Sequence, residues 1–186
     1  MLGINDLKIG TNIEYNNEPY TVIASQHVKL GRGGAVQQTK LKNLINGNVI
    51  SKNFKGNDKF QEPDLTKNKA QFLYQDSGVF YFMDETNYEQ FSLSQKQVGR
   101  RAQFLKDGAS VDVLYFNSQP INIEIPLKIV LEVIEAPPSV RGDTATKTGT
   151  KQVILETGAK ITVPLFIKKE DKIRVNTETG EYVERA

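Results

Sequence analysis

Chain-reversal signals recur at short spacing along the whole chain, at Asn16-Asn17-Glu18-Pro19, Asn46-Gly47, Lys55-Gly56-Asn57, Asp76-Ser77-Gly78, Asp107-Gly108, Asn117-Ser118-Gln119-Pro120, Thr157-Gly158 and Glu178-Thr179-Gly180. Between them lie strand-sized runs rich in β-branched and aromatic residues, such as Val79-Phe80-Tyr81-Phe82-Met83, Ser110-Val111-Asp112-Val113-Leu114-Tyr115-Phe116 and Ile129-Val130-Leu131-Glu132-Val133-Ile134. This pattern predicts an all-β protein of small barrels or sandwiches. One stretch, residues 94–106, reads as helix: Val98, Ala102 and Leu105 share a face at i, i+4, i+7, and Gly108 is placed to end it. Such a helix is expected to plug one barrel.

Two places read as boundaries. A polar stretch with proline at Gln61-Glu62-Pro63-Asp64 ends the first third, and Ile125-Pro126-Leu127 interrupts a β-prone region. They give units of residues 1–63, 64–126 and 127–186. Units of this size bury only about 60% of their unfolded surface and gain from interfaces with neighbours. The first carries eight Lys+Arg against five Asp+Glu, the second six against eight and the third ten against nine. A basic end beside an acidic middle suggests an elongated molecule that meets an anionic partner with some regions and not others. The chain has no cysteine, which excludes disulfides and thiolate chemistry. Without a signal peptide or long apolar run, it is expected to be soluble and cytoplasmic, with no membrane partner.

Between the strand-like runs 20–28 and 35–41 stands Lys29-Leu30-Gly31-Arg32-Gly33-Gly34. The two runs read as a hairpin whose tip presents Arg32. Glycine tolerates positive φ and has no side chain to block an approaching surface, so the backbone around Arg32 can come close to a partner. A guanidinium does not deprotonate in proteins, so Arg32 acts by charge and hydrogen bonding. A second segment, residues 139–151, is polar, with Arg141, Lys147, Lys151, four threonines and two glycines. Read functionally it is a nucleic-acid contact, with hydroxyls and amides for phosphate or sugar and cations for charge; read structurally it is a solvated connector.

Catalytic constellations are missing from the sequence. The single histidine, His27, has no cysteine near it in sequence and reads as a partly packed or partner-facing strand residue. Asp84-Glu85 and Glu170-Asp171 are adjacent pairs whose side chains diverge in an extended chain, and they read as solubilising. No enzyme, metal or cofactor is expected.

Further motifs in order are Glu18-Pro19-Tyr20-Thr21-Val22-Ile23-Ala24-Ser25, the tip at 29–33, Leu73-Tyr74-Gln75-Asp76, Phe82-Met83, Tyr88-Glu89-Gln90, Arg141-Gly142-Asp143-Thr144-Ala145, Thr157-Gly158-Ala159 leading to Val163-Pro164-Leu165-Phe166, and the ending Gly180-Glu181-Tyr182-Val183-Glu184-Arg185. On these, the chain resembles the bacterial translation elongation factor P family over essentially its full length. The resemblance implies three small β-barrel domains in an L shape like a transfer RNA, an SH3-like (KOW-type) domain followed by two OB-folds. It implies a monomer that binds the ribosome between the peptidyl and exit sites and relieves stalling at consecutive prolines. The tip residues Lys29, Leu30, Gly31, Arg32, Gly33 and Gly34 would approach the acceptor end of peptidyl-tRNA. Arg141, Gly142, Asp143, Thr144 and Lys147 would contact ribosomal RNA and messenger near the small subunit. Many relatives carry lysine at the Arg32 position and extend it with a β-lysyl group; one branch carries arginine, to which an arginine rhamnosyltransferase attaches rhamnose. Arg32 matches the second branch, which has serine and asparagine where Leu30 and Gly33 stand here. Val153 and Glu170 replace the usual alanine and glycine. Two other readings stay open: the elongation-factor-P-like paralogue, and a general single-stranded RNA-binding OB-fold protein using Phe80, Tyr81 and Phe82 as stacking platforms.

Overall fold

The computed structural model describes residues 1–29, 35–138 and 149–186. Its strands are β1 (Leu2–Gly3), β2 (Asn12–Tyr15), β3 (Glu18–Lys29), β4 (Ala35–Asn43), β5 (Val49–Lys55), β6 (Lys59–Phe60), β7 (Leu65–Asp76), β8 (Val79–Asp84), β9 (Gln90–Ser94), β10 (Ser110–Phe116), β11 (Gln119–Glu124), β12 (Lys128–Glu135), β13 (Thr150–Leu155), β14 (Lys160–Pro164), β15 (Lys172–Asn176) and β16 (Tyr182–Arg185). All pairings are antiparallel, and the expected all-β class holds. No helix among the described residues is long and apolar enough to cross a membrane.

The first unit is a meander, β2-β3-β4-β5, with β1 and β6 paired beside it. Its core is Ile4, Leu7, Ile13, Tyr20, Val22, Leu41, Phe54 and Phe60. The turn between β2 and β3 uses Asn16 and Asn17, both at positive φ, which matches the right-handed strand twist. Glu18 and Pro19, grouped with that turn in the sequence, already lie in β3.

The other two sheets share one topology. Their orders, β9-β8-β7-β10-β11 and β14-β13-β12-β15-β16, both place the first strand of the unit at the centre, the second and third on one side and the fourth and fifth on the other. In each, the outermost strands come into contact, so the sheet curls toward closure, as in an OB-fold. Alternation fills the middle barrel: Phe80, Phe82 and Asp84 of β8 point inward while Val79, Tyr81 and Met83 point outward. Phe80 and Phe82 are therefore core residues and cannot serve as base platforms. Tyr81 alone of the three faces outward, stacked on Tyr74 at 4.7 Å.

The expected 94–106 helix is broken. A single α-turn, α1 (Gln95–Val98), runs into a 3-10 segment, Gly99–Phe104. Gln97 Oε1 accepts from the Ser94 N–H at 3.0 Å and starts the helix. Gly99 then takes φ +63°, which stops the α-helix well before Gly108. The apolar face survives the break, since Val98, Ala102 and Leu105 all pack in the middle core. Phe104 turns the other way and is buried among Leu131, Val133, Ile161 and Ile173 of the third core. One segment thus plugs two barrels, and the Thr157 hydroxyl donating to Gln103 O at 2.7 Å and the Lys106–Glu156 ion pair reinforce the junction.

A second correction concerns Asp84, which is 1% exposed and not a solubilising group. Its carboxylate accepts from Asn68 Nδ2, Tyr115 Oη and the backbone N–H groups of Thr86 and Asn87. Burial opposes its charge, but these donors win and hold its pKa down to about 2. Burial and the Asp84 hydrogen bond together push the Tyr115 phenol up.

Candidate nucleic-acid interface

The first unit builds an arm. β3 is twelve residues long. It outruns β2, which pairs only with Glu18 to Thr21. Beyond the Val22–Leu41 pair it continues with β4 as far as Lys29 opposite Ala35, and β5 flanks β4 out to Lys55 opposite Val36. A register shift between Val22 and Ala24 puts a bulge where the arm leaves the core, the usual place for added twist.

The inner face of the arm is polar on β3 and β4, opposite the buried Phe54 of β5. Gln37, 9% exposed, lies between Ser25 and His27. Because its amide donates through Nε2 to Ser25 Oγ at 2.6 Å, its Oε1 faces the imidazole. Nδ1 of His27 therefore carries the proton and donates at 3.0 Å. The Thr39 hydroxyl donates to Lys52 O at 3.0 Å. His27 is accordingly an exposed strand residue that is held from one side, a strand histidine as its sequence context implied.

The outer face is read from register. Cross-strand rows run Thr21-Lys42-Val49, Ala24-Lys40-Ser51, Gln26-Gln38-Asn53 and Val28-Val36-Lys55. These rows hold three lysines, three amides and no carboxylate. Lys40, Lys42 and Lys55 are exposed, and among the described residues no carboxylate oxygen lies within 4.0 Å of their ammonium groups. Such a face suits phosphate and sugar groups, with ammonium for charge and amides for hydrogen bonds. Lys55, Gln26, Gln38 and Asn53 were missed in the sequence; period-2 counting outward from residues 30–34 would have found Gln26 and Gln38, whereas Asn53 and Lys55 join the face only through the pairing of β5 with β4.

Of the sequence-predicted contacts, Leu30, Gly31, Arg32, Gly33 and Gly34 lie outside the described residues, as does the side chain of Lys29, whose backbone pairs with Ala35. Arg141, Gly142, Asp143, Thr144 and Lys147 also lie outside them. The base of that second segment is fixed by Lys151 Nζ donating to Pro137 O at 3.0 Å and by the Leu165 N–H donating to Gly149 O.

A meander sheet carrying a basic arm, followed by two barrels of OB topology, defines a class of multi-barrel proteins. The family description "Elongation factor P (EF-P) KOW-like domain" matches residues 3–60, "Elongation factor P (EF-P) OB domain" matches 65–123, and "Elongation factor P, C-terminal" matches 129–185. The chain is 44% identical to Elongation factor P of Helicobacter hepaticus over 184 residues, 99% of this chain and 98% of that protein. It is 44% identical to Elongation factor P of Moorella thermoacetica over 186 residues, the whole of both. A solved structure, eukaryotic translation initiation factor 5A from Methanococcus jannaschii, shares the fold at TM-score 0.54 and 20% identity over 66% of this chain and 90% of that one. The chain belongs to the elongation factor P family, whose members are named as translation elongation factors and not as enzymes.

Proposed function

We propose that this protein binds the ribosome beside peptidyl-tRNA and promotes peptide-bond formation at consecutive-proline stalls. Family membership supports the reading, and the observation that carries it is the carboxylate-free outer face of the β3-β4-β5 arm, whose strands β3 and β4 bracket residues 30–34 in sequence. Proline is a constrained partner in peptide-bond formation, and holding peptidyl-tRNA in an attack-ready geometry recovers several kcal/mol of barrier by positioning alone. No catalytic group on the protein is required. In this reading the protein is a cytoplasmic monomer of three domains, residues 1–63, 64–126 and 127–186, in a tRNA-like L. Arg32 reaches the acceptor end and is the site of modification, a rhamnose added to the guanidinium by an arginine rhamnosyltransferase. Residues 141–147 meet ribosomal RNA and messenger near the small subunit.

In a reconstituted translation system, adding the protein is expected to speed a Pro-Pro-Pro reporter and leave a proline-free control nearly unchanged. Arg32→Ala is expected to abolish most of that gain while stability stays within about 0.5 kcal/mol. Equal acceleration of both reporters sinks the assignment, and full activity of Arg32→Ala sinks the role of the tip. Mass spectrometry of the Arg32 peptide from native protein tests the rhamnose separately.

A further inference from the structure

Where the three units meet, a cleft of about 770 Å³ opens. Lys42 of β4 lines it from the first unit, Lys96, Arg100 and Arg101 from the broken helix, and Glu178 from the turn before β16. Among the described residues no carboxylate oxygen comes within 4.0 Å of the side-chain nitrogens of these four cations. The other carboxylate on the wall, Glu124, is already paired with Lys67 at 2.7 Å. Glu124 and Glu178 both act on Arg101 at longer range, and four cations against these two carboxylates still leave the cleft a surplus of positive charge.

Arg101 is the fixed point. It is partly buried, and Nη1 donates to Asn122 Oδ1 at 2.7 Å, while Asn122 Nδ2 donates to Leu44 O of the first unit at 2.9 Å. This chain of bonds anchors one corner of the guanidinium to the first unit. A guanidinium has five N–H donors, and the other four have no protein partner among the described residues. A held fork with free donors matches the geometry of phosphate oxygens, and forming those bonds loses little side-chain entropy because the fork is already placed. Cations contributed by two different units along one open cleft suit an extended, repeatedly charged ligand better than a single small anion.

We propose that this three-way cleft seats an RNA sugar-phosphate strand, with Arg101 as the fixed phosphate fork and Lys42, Lys96 and Arg100 as the surrounding charge. The proposal rests on the RNA partner of the reading above but concerns a second contact, which adjoins the arm's outer face at Lys42 and is otherwise built from the broken helix. Lys96 and Arg100 are exposed, so replacing them leaves the core alone.

The test uses the full chain and a tRNA transcript, with affinity followed by fluorescence anisotropy from about 50 to 200 mM salt. The double variant Lys96→Gln/Arg100→Gln is expected to lower the slope of log affinity against log salt by about 1.4 to 1.8, since each lost phosphate contact removes about 0.7 to 0.9. The control Lys168→Gln/Lys169→Gln, with the same charge change on exposed third-unit lysines, is expected to leave the slope as it was. Equal slopes for the wild type and the cleft variant overturn the proposal while leaving the proline reading untouched. An unchanged slope for tRNA with weakened binding of poly-glutamate overturns it in favour of an acidic protein partner. A lowered slope in a protein that never rescues the Pro-Pro-Pro reporter keeps the cleft and sinks the proline reading.

Discussion

Asp84 shows how one side chain can be both a charge and a core residue. Its folded pKa of about 2 lies below the ordinary carboxylate value of 3.8, so its charge stabilises the fold by about 2 kcal/mol. That contribution is complete above about pH 4 and is lost as the pH falls toward 2. Asp84→Asn is expected to cost about 2 to 3 kcal/mol at pH 7, because an amide turns its own N–H groups toward the Asn68 and Tyr115 donors. It should also flatten the dependence of urea-melt stability on pH between 4 and 2; an unchanged pH profile would show that Asp84 is not the titrating group. Glu170 presents the opposite case, an exposed residue held at φ +72°. Left-handed backbone costs a non-glycine residue about 1 to 2 kcal/mol, against about 0.5 to 1 kcal/mol of extra chain entropy lost by glycine. Glu170→Gly is therefore expected to raise stability by about 0.5 to 1 kcal/mol, visible as a Tm rise of about 1 to 4 °C. Neither environment was legible from local sequence. Adjacent acids look solvated until topology brings Asn68 and Tyr115 against one of them, and the left-handed backbone of Glu170 leaves no mark in the residues beside it.

Among the elements, the broken helix carries the most information. Its apolar period was readable, and Val98, Ala102 and Leu105 lie in the middle core as that period requires. Its break at Gly99 was not readable, because glycine inside a helical pattern is usually tolerated at about 1 kcal/mol. The break rotates Phe104 away from the middle core and into the third. Phe104→Ala is expected to cost about 3 to 5 kcal/mol, concentrated in the third barrel. Hydrogen exchange should then speed up in β12, β13 and β15 while β7, β8 and β10 keep their protection. Loss of protection spread evenly over both barrels would refute the idea that this ring serves chiefly the third. The hairpin arm, by contrast, was legible nearly to its ends, because a turn of known position fixes the register of everything beside it.

At the level of the whole molecule, three units of marginal size are tied by side chains that each unit lends to the next. Leu44 and Ile45 of the first unit pack against Leu114, Phe116 and Ile121 of the middle one, and Ile125 packs against both later cores. The all-β class and the order of the barrels were legible because turn chemistry is local. The ties between barrels were not, since they join residues as far apart as Leu44 and Asn122. The arm stands partly outside this scheme: past Val22 and Leu41 the inner faces of β3 and β4 are held by the Ser25, Gln37 and His27 hydrogen bonds, with Phe54 of β5 as the buried apolar residue beside them. Apolar burial weakens on cooling, and the barrels depend on it more than the arm does. Cooling therefore takes more of the margin from the barrels than from the hydrogen bonds that hold β3 against β4 in the arm.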